Sequence, residues 1–518
     1  MKFSKKPILL FIAAALTGFI LLANCAGGPQ PVQREAGKVY ELVLLHTNDH
    51  HGAIDPTGTQ GGLAERATFI SQVRAENANV LLLDAGDMNT GQALSNMFSA
   101  EPDILAYNYM GYDATTFGNH EFDKDRATLL QQMAWANFPF LTANIMDGNK
   151  LLGGNQYKVF NYEGIRVGVF GVTIAQTPIL TNPLNLRGLT FTNEIEAARN
   201  VVNILRSREK VDIVIALTHM GEIKINDDHI TSHELAQAVT GIDIILDGHS
   251  HTLSTEVARF GETSLVQAGN WGKWVGQARL SVIDGKLTGF DWESVEISGF
   301  APDAAVAAIL APFRERADAI LQEVIGQAAG DFPHGRQRYE ETAIGNMITD
   351  GIAWWARNVQ NLEVDFAFSN GGGIRAPLSA GQLTRGDIIT VLPFDNYVNV
   401  ASLTGAELQE LFNFIATIAQ GAGAFPQFSA DVRYTRNITE GTVTDITIGG
   451  APIDPARVYR FATNDFVLAG GDGYPLTSAG NRLDTSMRVA DVVIDFIIQS
   501  GGTVTPALDG RVVVTGGN

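Results

Sequence analysis

Cysteine is almost absent from this chain of 518 residues, in which Cys25 is the only one. Cys25 directly follows an apolar leader, where we expect its thiol to be lipidated during export. The remainder of the chain has no thiol. Disulfide bonds, cysteine nucleophiles and thiolate metal sites are then excluded. Any metal ion must be held by histidine, aspartate, asparagine or glutamate.

Basic residues are also scarce. The chain has 36 lysines and arginines against 56 aspartates and glutamates, which gives a formal net charge of -20 at pH 7. Proteins that bind nucleic-acid polymers neutralise phosphates with a basic stripe, and the sequence contains none. We therefore expect no nucleic-acid polymer as a partner. An anionic substrate must be held by local charge, from metal ions or a few arginines.

Long apolar runs are missing except at residues 8–23, which follow Lys2, Lys5 and Lys6. This layout is typical of an export signal, and a membrane anchor is the competing interpretation. Cys25 follows "LLAN", which resembles a bacterial lipobox, so we expect a lipoprotein signal at 1–25 and a Pro/Gly-bearing tether at 26–38. The chain is then a periplasmic or cell-surface lipoprotein held to the membrane through Cys25. An ordinary cleaved signal and an uncleaved anchor stay open as alternatives.

The remaining apolar runs are short and β-branched, and they alternate with helical patterns. This alternation predicts an α/β fold. The predicted strands are 42–45, 80–83, 167–172, 212–217 and 242–246, with helical periodicity starting at residues 63 and 193. A long helix at 302–326 has no flanking strand and is a plausible connector. We therefore expect one domain at 39–301 and a second at 327–518.

Metal-type residues follow four of the predicted strands, in "HTNDHH", "DAGD", "TH" and "DGHSH", and a fifth segment is "TTFGNHEFD". Loops beyond the carboxyl ends of strands converge on one edge of an α/β sheet, where ligands usually bind. One histidine after a strand is more often a hydrogen-bonded loop residue, but five such segments together indicate a metal site. Seven of the ten histidines lie in them: His46, His50, His51, His120, His219, His249 and His251.

These residue types suit zinc or manganese, because no thiolate favours a softer metal. A pair of metals roughly 3.5 to 4 Å apart activates water near neutral pH and clamps a phosphoryl group. The chain offers enough ligands for such a pair. Asp49 and His51 are at spacing i, i+2, which in an extended turn directs both side chains the same way.

The ordered motifs "HTNDHHG", "DAGD", "GNHEFD", "THMG" and "GHSH" resemble those of the calcineurin-like metallophosphoesterases. Together with "SNGGGIR", "VLPFDN" and "GGDGY", the chain resembles the bacterial 5'-nucleotidase and UDP-sugar hydrolase family over residues 40–510. The resemblance implies an N-terminal metallophosphoesterase α/β sandwich, a connector helix and a C-terminal α+β substrate-binding domain. It also implies two divalent ions as cofactors, drawn from zinc, manganese, cobalt and magnesium.

The resemblance also implies individual site residues. One metal would be held by Asp49, His51 and His251, and the other by Asn119, His219 and His249, with Asp87 bridging them. His251 stands where relatives carry asparagine or glutamine. His120 and Asp123 would form the catalytic dyad. His46 and His50 lie outside this set, and packing or support of the ligands is the favoured interpretation for them.

The second domain would bind the substrate. Arg338, Asn370, Gly373 and Arg375 match positions that contact phosphate, ribose or base. Phe394 and Phe466 match two aromatic residues that sandwich the nucleobase, and stacking of this kind accepts any base. Asp472 matches the acid that binds the ribose hydroxyls.

The leading hypothesis is an exported two-metal phosphohydrolase that removes the 5'-phosphate from nucleotides, with nucleotide sugars as further possible substrates. A 2',3'-cyclic nucleotide phosphodiesterase with 3'-nucleotidase activity is the nearest alternative. A non-catalytic surface-binding lipoprotein is an alternative of another class.

Overall fold

The computed structural model describes residues 33–181 and 183–516. The predicted signal at 1–25 and the first part of the predicted tether lie outside these residues. Within the described ranges, no helix has both the length and the apolar character needed to cross a bilayer.

The strands alternate with the helices through the first half of the chain, and short strands predominate in the second half. The strands are β1 (Val39–Thr47), β2 (Val80–Asp84), β3 (Ala114–Thr116), β4 (Phe140–Leu141), β5 (Ile145–Asp147), β6 (Lys150–Leu151), β7 (Tyr157–Tyr162), β8 (Ile165–Thr173), β9 (Leu189–Phe191), β10 (Ile213–His219), β11 (Ile244–Asp247), β12 (Ala258–Phe260), β13 (Thr263–Gln267), β14 (Trp274–Ile283), β15 (Lys286–Glu296), β16 (Val324–Ala328), β17 (Phe366–Asn370), β18 (Gly381–Thr384), β19 (Tyr397–Thr404), β20 (Pro426–Phe428), β21 (Val432–Asn437), β22 (Thr442–Ile448), β23 (Ala451–Pro452), β24 (Val458–Asn464), β25 (Gly480–Arg488), β26 (Thr503–Val504) and β27 (Val512–Thr515).

The helices vary from single turns to eighteen residues. They are α1 (Leu63–Glu76), α2 (Ala93–Met97), α3 (Glu101–Met110), α4 (Arg126–Trp135), α5 (Thr177–Leu180), α6 (Glu194–Asn203), α7 (Ser232–Ala238), α8 (Ala304–Leu321), α9 (Ala343–Asn358), α10 (Arg385–Val391), α11 (Gly405–Thr417), α12 (Asp465–Leu468) and α13 (Val489–Gln499). Short 3₁₀ helices span His120–Phe122, Leu152–Gly154, Pro183–Leu186, Gly371–Gly373 and Gly471–Gly473, and a π-helix spans Ile204–Glu209.

Two six-stranded sheets face each other in the first half of the chain. Their strand orders are β15-β14-β1-β2-β3-β4 and β12-β13-β11-β10-β8-β7. Leu44 and Leu81 of one sheet share a buried core with Ile215 of the other. Helices α1, α3 and α8 cover the outer face of the first sheet, and α6 and α7 cover that of the second. The arrangement is an α/β sandwich, which confirms the predicted fold class.

The central strands run parallel, as their continuous apolar character requires. In one sheet β1 pairs with β2, and in the other β10 pairs with both β8 and β11. Every residue of β2, β10 and β11 is buried. The carboxyl ends of these parallel strands therefore lie at the same edge of the sandwich.

The second half of the chain is built on a five-stranded mixed sheet, ordered β20-β17-β24-β19-β25. Helices α9 and α13 pack on one face of this sheet, and α11 packs on the other. Smaller sheets, β18-β16-β26 and β23-β22-β21-β27, complete this unit, and β6-β5-β9 belongs to the first unit.

Helix α8 occupies most of the segment predicted as a connector. Asp303 caps its amino end by accepting hydrogen bonds from the backbone N–H groups of Ala305 and Val306. The helix ends at Leu321, and the last residues of the predicted range begin β16. Its buried side chains join the core of the first unit. The domain division at residues 301 and 327 remains a prediction.

Candidate active site at the edge of the sandwich

The strand ends bring the predicted metal-type residues to one place. Asp49 and His51 follow β1, Asp87 follows β2 and Asn119 follows β3. His219 is the last residue of β10. His249 and His251 follow β11. Residues separated by as many as 200 positions in sequence thus meet at hydrogen-bonding distance, as between His51 and His251.

Left-handed backbone directs many of these side chains inward. Positive φ angles occur at Asp49 (49°), His51 (48°), Asp87 (56°), His249 (78°) and His251 (56°). The extended turn expected for Asp49 and His51 is therefore wrong, although the two side chains do converge. Aspartate and histidine are among the residues that tolerate this conformation best.

The first group of candidate ligands consists of Asp49, His51 and His251. The Nε2 atoms of the two histidines are 3.0 Å apart. Asp49 Oδ1 lies 3.8 Å from His51 Nε2 and 3.3 Å from His251 Nε2. The His51 Nδ1 atom donates to the carbonyl oxygen of Asn89 at 3.2 Å, which leaves Nε2 facing the cluster.

The second group consists of Asp87, His219 and His249. Asp87 Oδ2 lies 3.0 Å from His219 Nε2 and 3.9 Å from His51 Nε2, so its carboxylate stands between the two groups. His219 Nδ1 donates to the carbonyl oxygen of Ala85 at 2.7 Å. Asn119 Oδ1 lies 2.9 Å from His249 Nδ1, which places the predicted amide ligand in this group.

The donor set has the chemistry of a cation site. The His219 Nε2 atom is buried and makes no well-aligned hydrogen bond among the described residues, although Asp87 Oδ2 lies 3.0 Å away. Burial lowers the pKa of His219, but Asp87 and Asp49 outweigh it and raise the pKa to about 10. Burial raises the pKa of Asp87, and the neighbouring histidines, led by His219, hold it well below its usual range. The carboxylates of Asp87 and Asp49 therefore favour positive charge beside them, which a bound divalent ion would provide.

His120 and Asp123 lie beside the cluster as a hydrogen-bonded pair. His120 Nδ1 and Asp123 Oδ2 are 2.6 Å apart, and His120 Nε2 faces Asp87 Oδ2 at 3.9 Å. Burial lowers the pKa of His120, and Asp123 and Asp87 raise it above its ordinary value. The two carboxylates therefore stabilise positive charge on the imidazole at the rim of the cluster.

Three polar residues hold this dyad, and sequence reasoning missed all of them. The hydroxyl of Thr90 donates to Asp123 Oδ2 at 2.5 Å, and that of Thr181 donates to Asp123 Oδ1 at 3.1 Å. Asn185 Nδ2 donates to the backbone oxygens of Phe122 and Asp123. Threonine and asparagine in loops carry no distinctive pattern, so the sequence offered no signal for them.

Glu121 belongs to the metal-type residues of the "GNHEFD" motif, but its carboxylate holds backbone groups of the loops and does not face the cluster. Its buried carboxylate accepts hydrogen bonds from the backbone N–H groups of Asp87 (2.9 Å), Met88 (2.8 Å) and Gly118 (2.6 Å). It thereby joins the loop after β2 to the loop after β3. Asn48 has a similar role, since its Nδ2 donates to Asp49 Oδ2 at 2.6 Å.

His46 and His50 stay outside the cluster, as expected. His46 is buried with its ring 6.1 Å from that of Trp292. His50 Nε2 lies 2.9 Å from Asp103 Oδ1 in the interior. His46 therefore packs in the interior at the end of β1, and His50 is held by a buried carboxylate.

A cleft of about 510 Å³ joins the metal cluster to the second unit. Its walls include all of the predicted substrate residues: Arg338, Asn370, Gly373, Arg375, Phe394, Phe466 and Asp472. From the first unit, the cleft is lined by Asp87, Asn119, His120, Asp123, His249 and His251. Tyr339 and the segment 419–423 also line it and had no sequence signal beyond small residues.

The substrate residues from the second unit approach the cluster closely. The ring of Phe394 lies 5.7 Å from that of His120, and the Arg375 guanidinium lies 5.8 Å from the Phe394 ring. Burial and the nearby Arg338 lower the pKa of Arg375 to about 10. Two guanidinium groups in one cleft form a site for an anion.

Deeper in the second unit, polar groups are arranged around Asp472. Asn370 Nδ2 donates to Asp472 Oδ2 at 2.7 Å. Burial raises the pKa of Asp472 to about 6, although Asn370 and Arg338 lower it. Phe466 packs against Gly471, where a Cβ atom would lie 2.3 Å from the ring. Glycine is therefore required for the aromatic wall to stand where it does.

Two family models match the chain on either side of α8. Residues 42–253 match the calcineurin-like phosphoesterase model, and residues 324–479 match the 5'-nucleotidase C-terminal domain. A 5'-nucleotidase of Vibrio cholerae is 34% identical, over 94% of this chain and 96% of the relative. The chain belongs to the bacterial 5'-nucleotidase family. It is a metal-dependent phosphoric monoester hydrolase with a dinuclear centre of divalent ions.

Two further relatives extend the match. The protein UshA of Escherichia coli K12 is 32% identical, over 94% of this chain and 95% of the relative. The crystal structure of a 5'-nucleotidase precursor from Thermus thermophilus has a TM-score of 0.83 at 30% identity, covering 92% of this chain and all of that one. The likeness therefore spans both units and the cleft between them.

Proposed function

We propose that this chain removes the 5'-phosphate from nucleoside monophosphates. The observation that carries the proposal is the cleft, in which a cluster of metal-type ligands faces arginines and aromatic side chains from the second unit. A volume of about 510 Å³ lies in the range of small-molecule sites. A nucleotide has one anionic end and one aromatic end, and the cleft provides a counterpart for each.

In this proposal one ion would be held by Asp49, His51 and His251 and a second by Asn119, His219 and His249, and Asp87 would serve both. Bound divalent ions supply Lewis acidity and an activated water for attack on phosphorus. The guanidinium groups of Arg375 and Arg338 add positive charge for the phosphate on the opposite wall of the cleft.

The dyad has an electrostatic role. Asp123 accepts a hydrogen bond from His120 Nδ1 and fixes the ring, which leaves Nε2–H directed towards the cluster. A protonated imidazole there stabilises negative charge that develops on the phosphoryl oxygens and the leaving oxygen. Thr90 and Thr181 hold Asp123 in place, so the ring orientation is fixed before substrate binds.

The nucleoside end is placed by the second unit. Phe394 and Phe466 stack on the base, Asp472 accepts from the ribose hydroxyls, and Asn370 and Gly373 border the sugar. Stacking accepts any base, so we expect several nucleoside monophosphates as substrates.

We also propose that the chain is exported and anchored through a lipid on Cys25. The apolar segment 8–23 behind three lysines and the cysteine after "LLAN" support this proposal. Mass spectrometry of the mature N-terminus checks it: a diacylglycerol mass on Cys25 is expected, and an unmodified Cys25 or an earlier cleavage site would contradict it.

The substrate assignment is tested by comparing kcat/KM for AMP, 3'-AMP and 2',3'-cyclic AMP, with zinc, manganese, cobalt and magnesium added in turn. AMP is expected to be the preferred substrate with at least one metal. A preference for 2',3'-cyclic AMP and 3'-AMP would instead make the chain a cyclic phosphodiesterase. No turnover of any substrate, together with no bound metal, would indicate a non-catalytic binding protein.

A further inference from the structure

The two units also meet beside the cleft, through a pair of opposite charges. Lys124 of the first unit forms an ion pair with Asp395 of the second. Lys124 directly follows Asp123 of the dyad, and Asp395 directly follows Phe394 of the aromatic wall. The ion pair therefore joins the loop that carries the dyad to the loop that carries the base-stacking residue.

Asp395 belongs to a small network of charges on its own unit. Its Oδ1 lies 3.8 Å from Arg488 Nη1, and Arg488 Nε contacts Asp491 Oδ2 at 2.8 Å. Arg385 Nη1 lies 3.8 Å from Asp491 Oδ1. Lys124 thus connects this network to the loop of the dyad on the first unit.

These charges surround a second cavity, of about 420 Å³, at the boundary between the units. Its walls are Asn96, Met97, Ser99, Lys124, Ile320, Arg385, Ile389, Asp395, Arg488 and Asp491. Helix α10 of the second unit packs on α2 and α8 here. Because many side chains around this cavity are polar, Lys124 and Asp395 can separate and pair again without exposing an apolar core to water.

We propose that Lys124 and Asp395 are a positioning pair, which holds Phe394 against His120 and so places the base relative to the dyad. This inference rests on the proposed function, because it assigns Phe394 to the base site. The Phe394 ring lies 5.7 Å from the His120 ring, and the pair joins the same two loops. Loss of the pair leaves the contact between the two rings without this second link between the loops, while each loop keeps its own internal contacts.

The pair acts weakly and reversibly. The side chains of Lys124 and Asp395 are 17% and 40% exposed, and ion pairs of this exposure change an equilibrium by about two- to five-fold. An effect of that size favours the arrangement in which the Phe394 and His120 rings are in contact, but it does not prevent the two loops from separating. Substrate can then enter and product can leave.

The two members are not equivalent. Without Lys124, Asp395 keeps its contact with Arg488. Without Asp395, Lys124 loses its ion-pair partner, and the other basic residues of the cavity, Arg385 and Arg488, already pair with Glu323 and Asp491. We therefore expect Asp395→Ala to weaken base binding more than Lys124→Ala does.

The test measures adenosine binding by calorimetry and kcat/KM for AMP and for ribose 5-phosphate, which lacks a base. Lys124→Ala is expected to weaken adenosine binding and to lower kcat/KM for AMP by about two- to five-fold, with a larger loss for Asp395→Ala. Ribose 5-phosphate is expected to be unaffected, and Lys124→Arg is expected to restore both adenosine binding and AMP hydrolysis. The fold-loss in adenosine binding and in kcat/KM for AMP should be smaller for the double variant than the product of the two single losses. Both residues form one contact, so the second substitution removes little more.

The matched control is the ion pair of Arg126 and Asp147, which lies two residues further along but within the first unit. Arg126→Ala is expected to leave adenosine binding unchanged. Equal results for Lys124→Ala and Arg126→Ala would overturn the positioning role, as would an equal loss with ribose 5-phosphate. A wild-type chain that binds adenosine but does not hydrolyse AMP would refute the proposed function alone, since the binding comparison still decides the role of the pair.

Discussion

The side chains that form the candidate metal cluster depend on backbone conformations that most residues avoid. A left-handed conformation costs a residue with a side chain roughly 1 to 2 kcal/mol. Asp49, His51, Asp87, His249 and His251 all adopt it. The surrounding strands and hydrogen bonds offset this cost, and the strain is concentrated where the ligands converge.

At the residue scale, Phe394→Ala tests the base-stacking role. Loss of one stack is expected to weaken recognition of the base by about 1 to 3 kcal/mol, which corresponds to a fall of about 5- to 150-fold in kcat/KM for AMP. Hydrolysis of ribose 5-phosphate should change much less, because that substrate has no base. An equal fall for both substrates would mean that Phe394 serves the catalytic chemistry or the fold and does not stack on a base.

Candidate ligands were predictable because aspartate and histidine directly after apolar runs are chemically distinctive. The residues that support them were not. Thr181 reaches Asp123 from 58 positions away, and Glu121 binds backbone N–H groups that any sequence would provide. Those contacts depend on the path that the loops take through space, and no local sequence pattern predicts that path.

At the scale of elements, close approach between loops fixes the position of the Asp87 carboxylate. A Cβ atom at Gly118, after β3, would lie 2.1 Å from Asp87 Oδ1, after β2. A Cβ atom at Gly91 would lie 1.7 Å from the backbone oxygen of His51. Only glycine lets these loops pack so closely.

Gly118→Ala is therefore expected to displace Asp87 and to reduce bound metal below two ions per chain, as measured by elemental analysis after dialysis. Gly480→Ala is a suitable control, since a Cβ there meets only the Ser402 backbone oxygen at 3.9 Å. Full metal content in the Gly118→Ala variant would contradict the account of the shared carboxylate.

The positions of the central strands followed closely from the apolar runs. The predicted strand 80–83 became Val80–Asp84, and 167–172 became Ile165–Thr173. Turn geometry was not predictable, because left-handed residues other than glycine leave no reliable mark in a sequence. The end of α8 was also missed, since β16 is short and only half-buried.

At the scale of the whole molecule, function depends on how the two units meet. Helix α5 of the first unit packs against the Gly471–Gly473 turn, and α10 packs against α2 and α8 on the other side of the cleft. None of these contacts could be predicted, because their residues have no pattern that identifies a partner far away in sequence. The sequence motifs predicted which residues line the two walls of the cleft. They did not predict how far apart the two walls lie.

Net charge also acts at this scale. The chain carries a formal charge of -20, which repels a nucleotide at long range. The guanidinium groups of Arg338 and Arg375 make the local charge in the cleft positive, and divalent ions bound there would add to it. The KM for AMP is therefore expected to fall between low and moderate ionic strength, because salt screens the long-range repulsion. The measurement is KM over a series of salt concentrations. A KM that rises steadily from the lowest salt concentration would contradict this expectation.

Substitution of His120 tests whether the dyad beside the two-metal centre is needed for nucleotide hydrolysis. Phosphate release from AMP is compared between the wild-type chain and His120→Ala, with bound metal counted in the same samples. Two metal ions are expected in both proteins, with a loss of about 10²- to 10⁴-fold in turnover by the variant. Undiminished AMP hydrolysis by His120→Ala with its metals in place would contradict this role of the dyad.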